Sequence, residues 1–174
     1  AIAQMVSRSA ETEDRLEVSA DDAESLRGVA RRTWLYFETF VTDEHQHLPP
    51  DNFQENPEPI VAARTSPTNI GVYLLSIVSA RDFGWLSLTQ AAGRIEATMA
   101  TLERMERSRG HFYNWYETRS LRPLLPLYIS SVDSGNLAGH LLAVSAACNE
   151  WAGAPAAHLQ GDFDGILDCV TILD

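Results

Sequence analysis

The 174-residue chain has no lysine: all thirteen of its Lys/Arg positions are arginine. Against 24 acidic residues this leaves a formal net charge of −11. That balance argues against a nucleic-acid binder, because phosphate contacts need clustered basic side chains. Exclusive arginine would suit bidentate recognition of a ligand, but a GC-rich codon bias without functional meaning is the better reading. Cysteine is scarce too: Cys148 and Cys169 both stand among apolar neighbours. Buried reduced thiols are expected rather than a disulfide, which fits a reducing compartment. No apolar run approaches the ~20 residues that a membrane span needs. The N-terminus lacks the basic-then-apolar layout of a signal peptide, so the segment is expected to be soluble. Nor is there a glycine-rich phosphate loop, a nucleophile elbow or a Cys–His pairing, and nothing calls for a cofactor.

What is present is a normal globular composition, 45% hydrophobic and 21% charged, in a length that suits one domain with a real core. Residues 1–18 are polar and weakly patterned, and read as a tail or a cut end; the domain is placed at 19–174. After the cap-rich "SADDAE", Leu26, Val29, Thr33, Tyr36, Phe37, Phe40 and Val41 recur at helical spacing, predicting an amphipathic helix over about 21–42. Ser66 as N-cap and Pro67 at the first position open "PTNIGVYLLSIVSARDFG", which is apolar on all sides and ends at Gly84. Ser87 and Gln90 form a capping box for a third helix, striped by Leu88, Ala91, Ile95, Met99, Leu102 and Met105 and capped by Gly110. "DSGNLAGHLLAVSAACNEWAG" is again apolar nearly all round, with Ser134 or Asp133 as its cap and Gly153 at its end. "GDFDGILDCVTILD" reads as the start of one more helix.

The order is therefore amphipathic, buried, amphipathic, buried. Links from buried to amphipathic helices are short, whereas 43–65 and 110–132 are long. Helical hairpins with outer and inner members in a curved double layer give this pattern, an all-α fold forming an α/α toroid or part of one; a plain bundle is the simpler alternative. Both long links then share one rim, beside the N-termini of the inner helices.

That rim carries the candidate chemistry. "GHFYNWYET" (110–118) packs Phe112, Tyr113, Trp115 and Tyr116 around Asn114. Aromatic faces stack on the C–H faces of sugars while Asn114, Glu117 and Arg119 take hydroxyls. The plainer reading plugs two of the rings into the core, and some of each is expected. "LPPDNFQE" (48–55) offers Asp51, Asn52, Gln54 and Glu55 around Phe53, as a polar fork or a solvated turn. Arg64, Thr65, Ser66 and Asn69 stand at one inner helix's start, and Asp133, Ser134 and Asn136 at the other's, where capping is the default role. "DEHQH" (Asp43, Glu44, His45, His47) fits no structural zinc spacing, so no metal is expected. No Asp/Glu pair stands out as a glycosidase's two carboxylates.

Taken together, "LPPDNFQE", "RTSPTNIGVYLLS", "ARDFGW", "RIEATMATLERMERSRGHFYNWYET" and "YISSVDSGNLAGHL" resemble cyclic β-1,2-glucan synthases, in the N-terminal part of their middle, glucoamylase-like domain. The resemblance runs from about Leu26 to Trp151. It implies an (α/α)6 toroid, shared with β-1,2-glucanases, that closes linear β-1,2-glucan into rings by retaining transglycosylation. It also implies a parent protein in the inner membrane of Gram-negative bacteria, with this segment on the cytoplasmic side. By matching motif, Asp51, Asn52, Arg64, Asn69, Tyr113, Trp115, Tyr116 and Asp133 would line the glucan cleft. Six hairpins need twelve helices, and about five are visible, so the catalytic carboxylates are expected outside these residues. The segment would then be inactive alone, and would self-associate to cover its open edge. The alternative is a non-catalytic carbohydrate-binding or helical scaffold module.

Overall fold

The computed structural model describes residues 18–154 and 163–171, so nearly all of the presumed 1–18 tail lies outside the described residues. Among the described residues five helices carry the fold: α1 (Ala20–Phe40), α2 (Pro67–Asp82), α3 (Leu88–Arg104), α4 (Ser131–Gly153) and α5 (Phe163–Thr171). Their starts follow local chemistry. Ser19 and Ser66 accept the backbone N–H groups of Asp22 and Asn69. Ser87 and Gln90 exchange both bonds of a capping box. Each such cap contributes about 1 kcal/mol by satisfying an otherwise orphaned donor. Beyond α2 the chain turns at Gly84, whose φ of 79° favours glycine.

The core is built on α2. Tyr73, Leu74, Ile77 and Ala80 are essentially inaccessible, and Trp34 and Phe37 of α1 close over them. Trp34 lies parallel to Tyr73 with centroids 6.4 Å apart, and Phe37 tilts against the same ring at 5.2 Å. Full burial of each large apolar side chain stabilises by about 1.5–3 kcal/mol. The buried stripe of α1 is rotated from the expected one. It runs through Arg31, Trp34 and Phe37, while Leu26 and Val29 are exposed. Arginine makes that rotation possible: the Arg31 guanidinium lies 5.7 Å from the Trp85 ring centroid and reaches Glu38 at 2.8 Å. Arg94 covers Trp34 in the same way at 5.5 Å. A planar guanidinium stacks on a ring as an ammonium does not, for roughly 0.5–2 kcal/mol.

The most extensive helix contact joins α2 to α4, and Gly71 sets its closeness. A Cβ there would meet His140 Nδ1 at 2.5 Å. Yet α4 differs from expectation. Leu137 and Val144 are its buried residues, while Val132 and Leu142 are 68% and 75% exposed. The apolar pattern all round is real, but α2 covers one side of it. Its cap differs too: Ser130, one turn earlier than expected, accepts the Asp133 N–H at 3.1 Å and frees the Asp133 carboxylate from capping. Gly110, expected to end α3, sits six residues beyond it in a hairpin turn. Arg109 and Gly110, at φ 53° and 86°, join β4 (Arg107–Ser108) to β5 (His111–Phe112). Positive φ at both central residues suits a two-residue hairpin.

At the other end α5 docks on α1. Asp168 accepts Arg27 Nη2 at 2.6 Å and Trp85 Nε1 at 2.8 Å. Gly165 lies against the Gly84 turn, where a Cβ would meet backbone at 2.5 Å. Both cysteines are free and half-buried rather than buried.

Candidate functional site

The two long links meet. Their short strands β1 (Phe53–Gln54), β2 (Ile60–Val61), β3 (Arg64–Thr65) and β6 (Tyr116–Glu117) pair as β1–β2 within the first link and β3–β6 between the two. In β3–β6 the register sets Thr65 opposite Tyr116 and Arg64 opposite Glu117. Thr65 and Tyr116 are fully buried, and Arg64 lies on the outer face. Thr118 extends the junction: its N–H donates to the Ala63 carbonyl at 3.0 Å, and its hydroxyl meets His45 Nδ1 at 2.7 Å. Burial, then the nearby Arg119 charge, holds the His45 imidazole below its ordinary pKa, with Glu44 and Glu117 pulling the other way. Partial burial pushes the Glu117 carboxyl up, but hydrogen bonds from Ser120 and Arg119 outweigh it and hold the pKa below the usual range.

The first link is anchored from below. Leu48, Pro49 and Pro50 are buried, and the Pro50 carbonyl accepts Tyr36 OH at 2.8 Å. Burial and the Asp51 charge push that phenol up to about 12. Thr98 and Thr101, buried on α3, donate to the carbonyls of His47 and Gln46 at 3.0 and 2.7 Å. This seat delivers Asp51 to the rim. Its Oδ2 accepts Arg64 Nη2 at 2.9 Å, Arg64 Nε at 3.1 Å and Asn52 Nδ2 at 3.0 Å. Its Oδ1 accepts Asn69 Nδ2 at 3.1 Å.

From Arg64 the chain of contacts continues into the second link. The guanidinium lies 4.9 Å from the Trp115 ring centroid. The Asn114 amide takes the orientation its neighbours require, since an indole N–H only donates and a carboxylate accepts. Its Oδ1 then accepts Trp115 Nε1 at 2.8 Å and Tyr128 OH at 2.6 Å, and its Nδ2 donates to Asp133 Oδ2 at 2.9 Å. Asp133 Oδ1 accepts Thr68 Oγ1 at 2.6 Å, and Asn136 Nδ2 reaches the same hydroxyl at 3.1 Å. One polar network thus runs from Asn52 and Asp51 to Asp133 and Asn136. It joins the first link, the second link and the first turns of both inner helices, α2 and α4.

Six of the eight sequence-derived residues belong to it: Asp51, Asn52, Arg64, Asn69, Trp115 and Asp133. Tyr116 does not, which corrects the expectation. It is wholly buried, its OH accepts the Tyr113 N–H and donates to the Glu106 carbonyl, and it cannot face a ligand. Tyr113 is half-buried against the same core, 6.3 Å from the Tyr116 ring, and is the second inward plug. Trp115 is also not a bare platform, since Arg64 lies over its ring. Asn114, Thr68, Tyr128 and Asn136 are the members outside those eight, and Asn114, expected to take hydroxyls, is buried among them instead. Asn114, Tyr116 and Thr118 alternate inward over 114–119, but no difference in hydropathy marks that side in the sequence.

The apolar cavities lie elsewhere; one of about 290 Å³ runs between α3 and α4 past Ile95, Cys148 and Trp151. Among the described residues no three His, Cys, Asp or Glu side chains converge as metal ligands would, and no helix is long and apolar enough to cross a membrane. The rim is an open surface with dense donors and acceptors beside exposed apolar groups, Leu125 and Leu127 among them.

Comparison with known proteins agrees with the motif resemblance. No family model matches the chain. It is 62% identical over 173 residues to the cyclic β-(1,2)-glucan synthase NdvB of Rhizobium meliloti (strain 1021), spanning 99% of this chain but 6% of that protein. Among solved structures it is similar to a protein described as a glucoamylase from Bacteroides fragilis, with a TM-score of 0.63, 20% identity, and 92% of this chain on 37% of the other. It is also similar to an endo-β-1,2-glucanase from Chitinophaga pinensis, solved with sophorotriose and glucose, at a TM-score of 0.58 and 16% identity. That match covers 90% of this chain and 36% of the other. At these identities the structural likeness concerns the fold: mostly helical and glucoamylase-like, as expected of a fragment of an (α/α)6 toroid.

Proposed function

We propose that the rim binds linear β-1,2-glucan, as the substrate-binding portion of a synthase that closes such chains into rings by retaining transglycosylation. The observation that carries this is the 62% identity over 173 residues to a cyclic β-(1,2)-glucan synthase. The network supports it with the right chemistry. Asp51 and Asp133 are acceptors held in place, Asn52, Asn69 and Arg64 offer amide and guanidinium donors, and Trp115 provides an indole edge for hydroxyl-rich rings. The catalytic carboxylates then belong to the rest of the parent polypeptide, the segment does no chemistry alone, and the parent lies at the inner membrane with this portion on the cytoplasmic side. By itself the chain covers the open face of α4 by self-association.

The test is calorimetric titration of linear β-1,2-glucooligosaccharides into the chain, with β-1,3- and β-1,4-linked chains of equal length as controls. Saturable binding of the β-1,2-linked series, weakened about tenfold or more by Asp51→Ala, is expected, since charged hydrogen bonds are worth about 1.5–3 kcal/mol. Equal binding of all three linkages, or none with the fold intact, removes the reading.

A further inference from the structure

We infer that Asn114 is a positioning residue of the rim, fixing the Asp133 carboxylate and the Trp115 indole relative to each other for the sugar. The inference rests on the glucan-binding reading.

Four observations carry it. Asn114 is 7% exposed on the inward side of its strand, so it does not itself meet ligand. Its backbone N–H donates to the Tyr128 carbonyl at 2.9 Å, which locks the side chain's origin. One planar amide then presents opposite polarities in opposite directions, an acceptor to Trp115 and Tyr128 and a donor to Asp133, at 2.6–2.9 Å. The partners it joins come from different elements: Asp133 sits in the first turn of α4, while Trp115 is held on its face by Arg64 of β3.

A neutral amide meets both demands at once, its carbonyl accepting and its NH2 donating in opposite directions. Leucine leaves the indole N–H and a carboxylate oxygen without their partner. Aspartate repels Asp133 at neutral pH until the two carboxyls share a proton, as paired carboxylates do. The charged and titratable groups facing this point are Asp133 from α4, the Tyr128 phenol from the second link, and Arg64 with its partner Asp51 from the first. Asn114 thereby reaches the ligand through others, setting two contact groups by one rotamer.

The experiment follows the indole N–H signals of the full chain by ¹⁵N NMR, with Trp115→Phe assigning one of the four tryptophans, alongside calorimetry with a linear β-1,2-glucooligosaccharide. In the unsubstituted chain the Trp115 indole proton is expected to be protected from exchange. Asn114→Leu loses that protection with the other three signals in place, and weakens glucan binding about tenfold or more. Asn114→Asp keeps an acceptor for the indole N–H, so protection stays, but it loses the donor to Asp133 at neutral pH and weakens glucan binding, which recovers as acidification supplies the shared proton. That recovery is a readout that mere packing would not give. Glucan affinity and indole protection unchanged in Asn114→Leu overturn the inference, as does an Asn114→Asp chain whose loss of affinity ignores pH. A chain that binds no glucan while its Trp115 indole stays protected takes down the binding reading, and this inference with it, but leaves the Asn114–Trp115 bond established.

Discussion

Helices α2 and α4 carry the same signature in sequence, apolar around the whole circumference, and meet different fates. Eight residues of α2 are buried, among them Tyr73, Leu74 and Ile77. Only Leu137 and Val144 are buried on the longer α4. The difference lies in their neighbours, since α1, α3 and α4 all touch α2, whereas α4 rests chiefly on α2. An apolar surface pattern therefore states what a helix is suited to meet, not what it meets in a given piece of chain.

The sharpest way to break this comparison is truncation on both helices. Leu74→Ala is expected to cost about 2–5 kcal/mol as a fully buried position. Leu142→Ala, 75% exposed in the single chain, should stay within about 0.5 kcal/mol at dilutions where the chain is monomeric, and cost more where it self-associates. Urea unfolding of both variants decides it. Equal losses would mean that α4 is covered in solution, and a dependence of the Leu142→Ala loss on protein concentration would identify self-association as the cover.

Glycine gives a smaller and opposite-signed test. Gly71→Ala drives a methyl into His140 at the α2–α4 contact, and overpacking of this kind costs about 1–3 kcal/mol. Gly139→Ala, on the open side of α4 with no atom within 4 Å of a new Cβ, should gain about 0.5–1 kcal/mol of helix propensity. Thermal melts of the pair suffice, and a stabilising Gly71→Ala would show that the contact is looser than described.

The smallest expected effect is at the rim, a third kind of region where polar groups rather than apolar ones are enclosed. His45 has a lowered pKa in the folded chain, so between that value and the ordinary ~6.5 the unfolded chain binds more protons. Stability therefore rises with pH across that window, and is lost as pH falls from about 6.5 toward the folded value. His45→Gln should flatten this slope near pH 6 in denaturant midpoints measured across pH. An unchanged slope would assign the dependence to other groups.

Much of the scaffold was legible because it follows local rules. Ser66, Ser87 with Gln90, and Gly84 mark ends of α2 and α3 that periodicity alone leaves loose. The meeting of the two long links also followed from the alternation of helix types. What escaped was set by contacts distant in sequence or by patterns too short to read. Two-residue strands have no period, so Arg109–Gly110 looked like a helix end instead of a hairpin turn. The inward face of 114–119 is Asn, Tyr and Thr, which hydropathy cannot tell from the outward Trp, Glu and Arg, so Tyr116 passed for a ligand group. The stripe on α1 was misplaced because Arg31 is buried on Trp85 and Glu38, and no hydrophobic scale places an arginine inside. Asp133 was credited to capping because the structure's choice of Ser130 depends on where the preceding loop enters.

The β3–β6 pairing has a consequence for the order in which this region assembles. Two residue pairs join positions about fifty residues apart, and the loop they close contains all of α2 and α3. Closing a flexible loop of that length is entropically unfavourable, with a penalty that grows as the logarithm of its size, and two ladder pairs offset little of it. If α2 and α3 first dock as a hairpin, the free loop shrinks to the short flanks and the penalty falls. The polar rim is then a late product of folding, completed once the helices beneath it have set its ends, and the first part to open when they loosen.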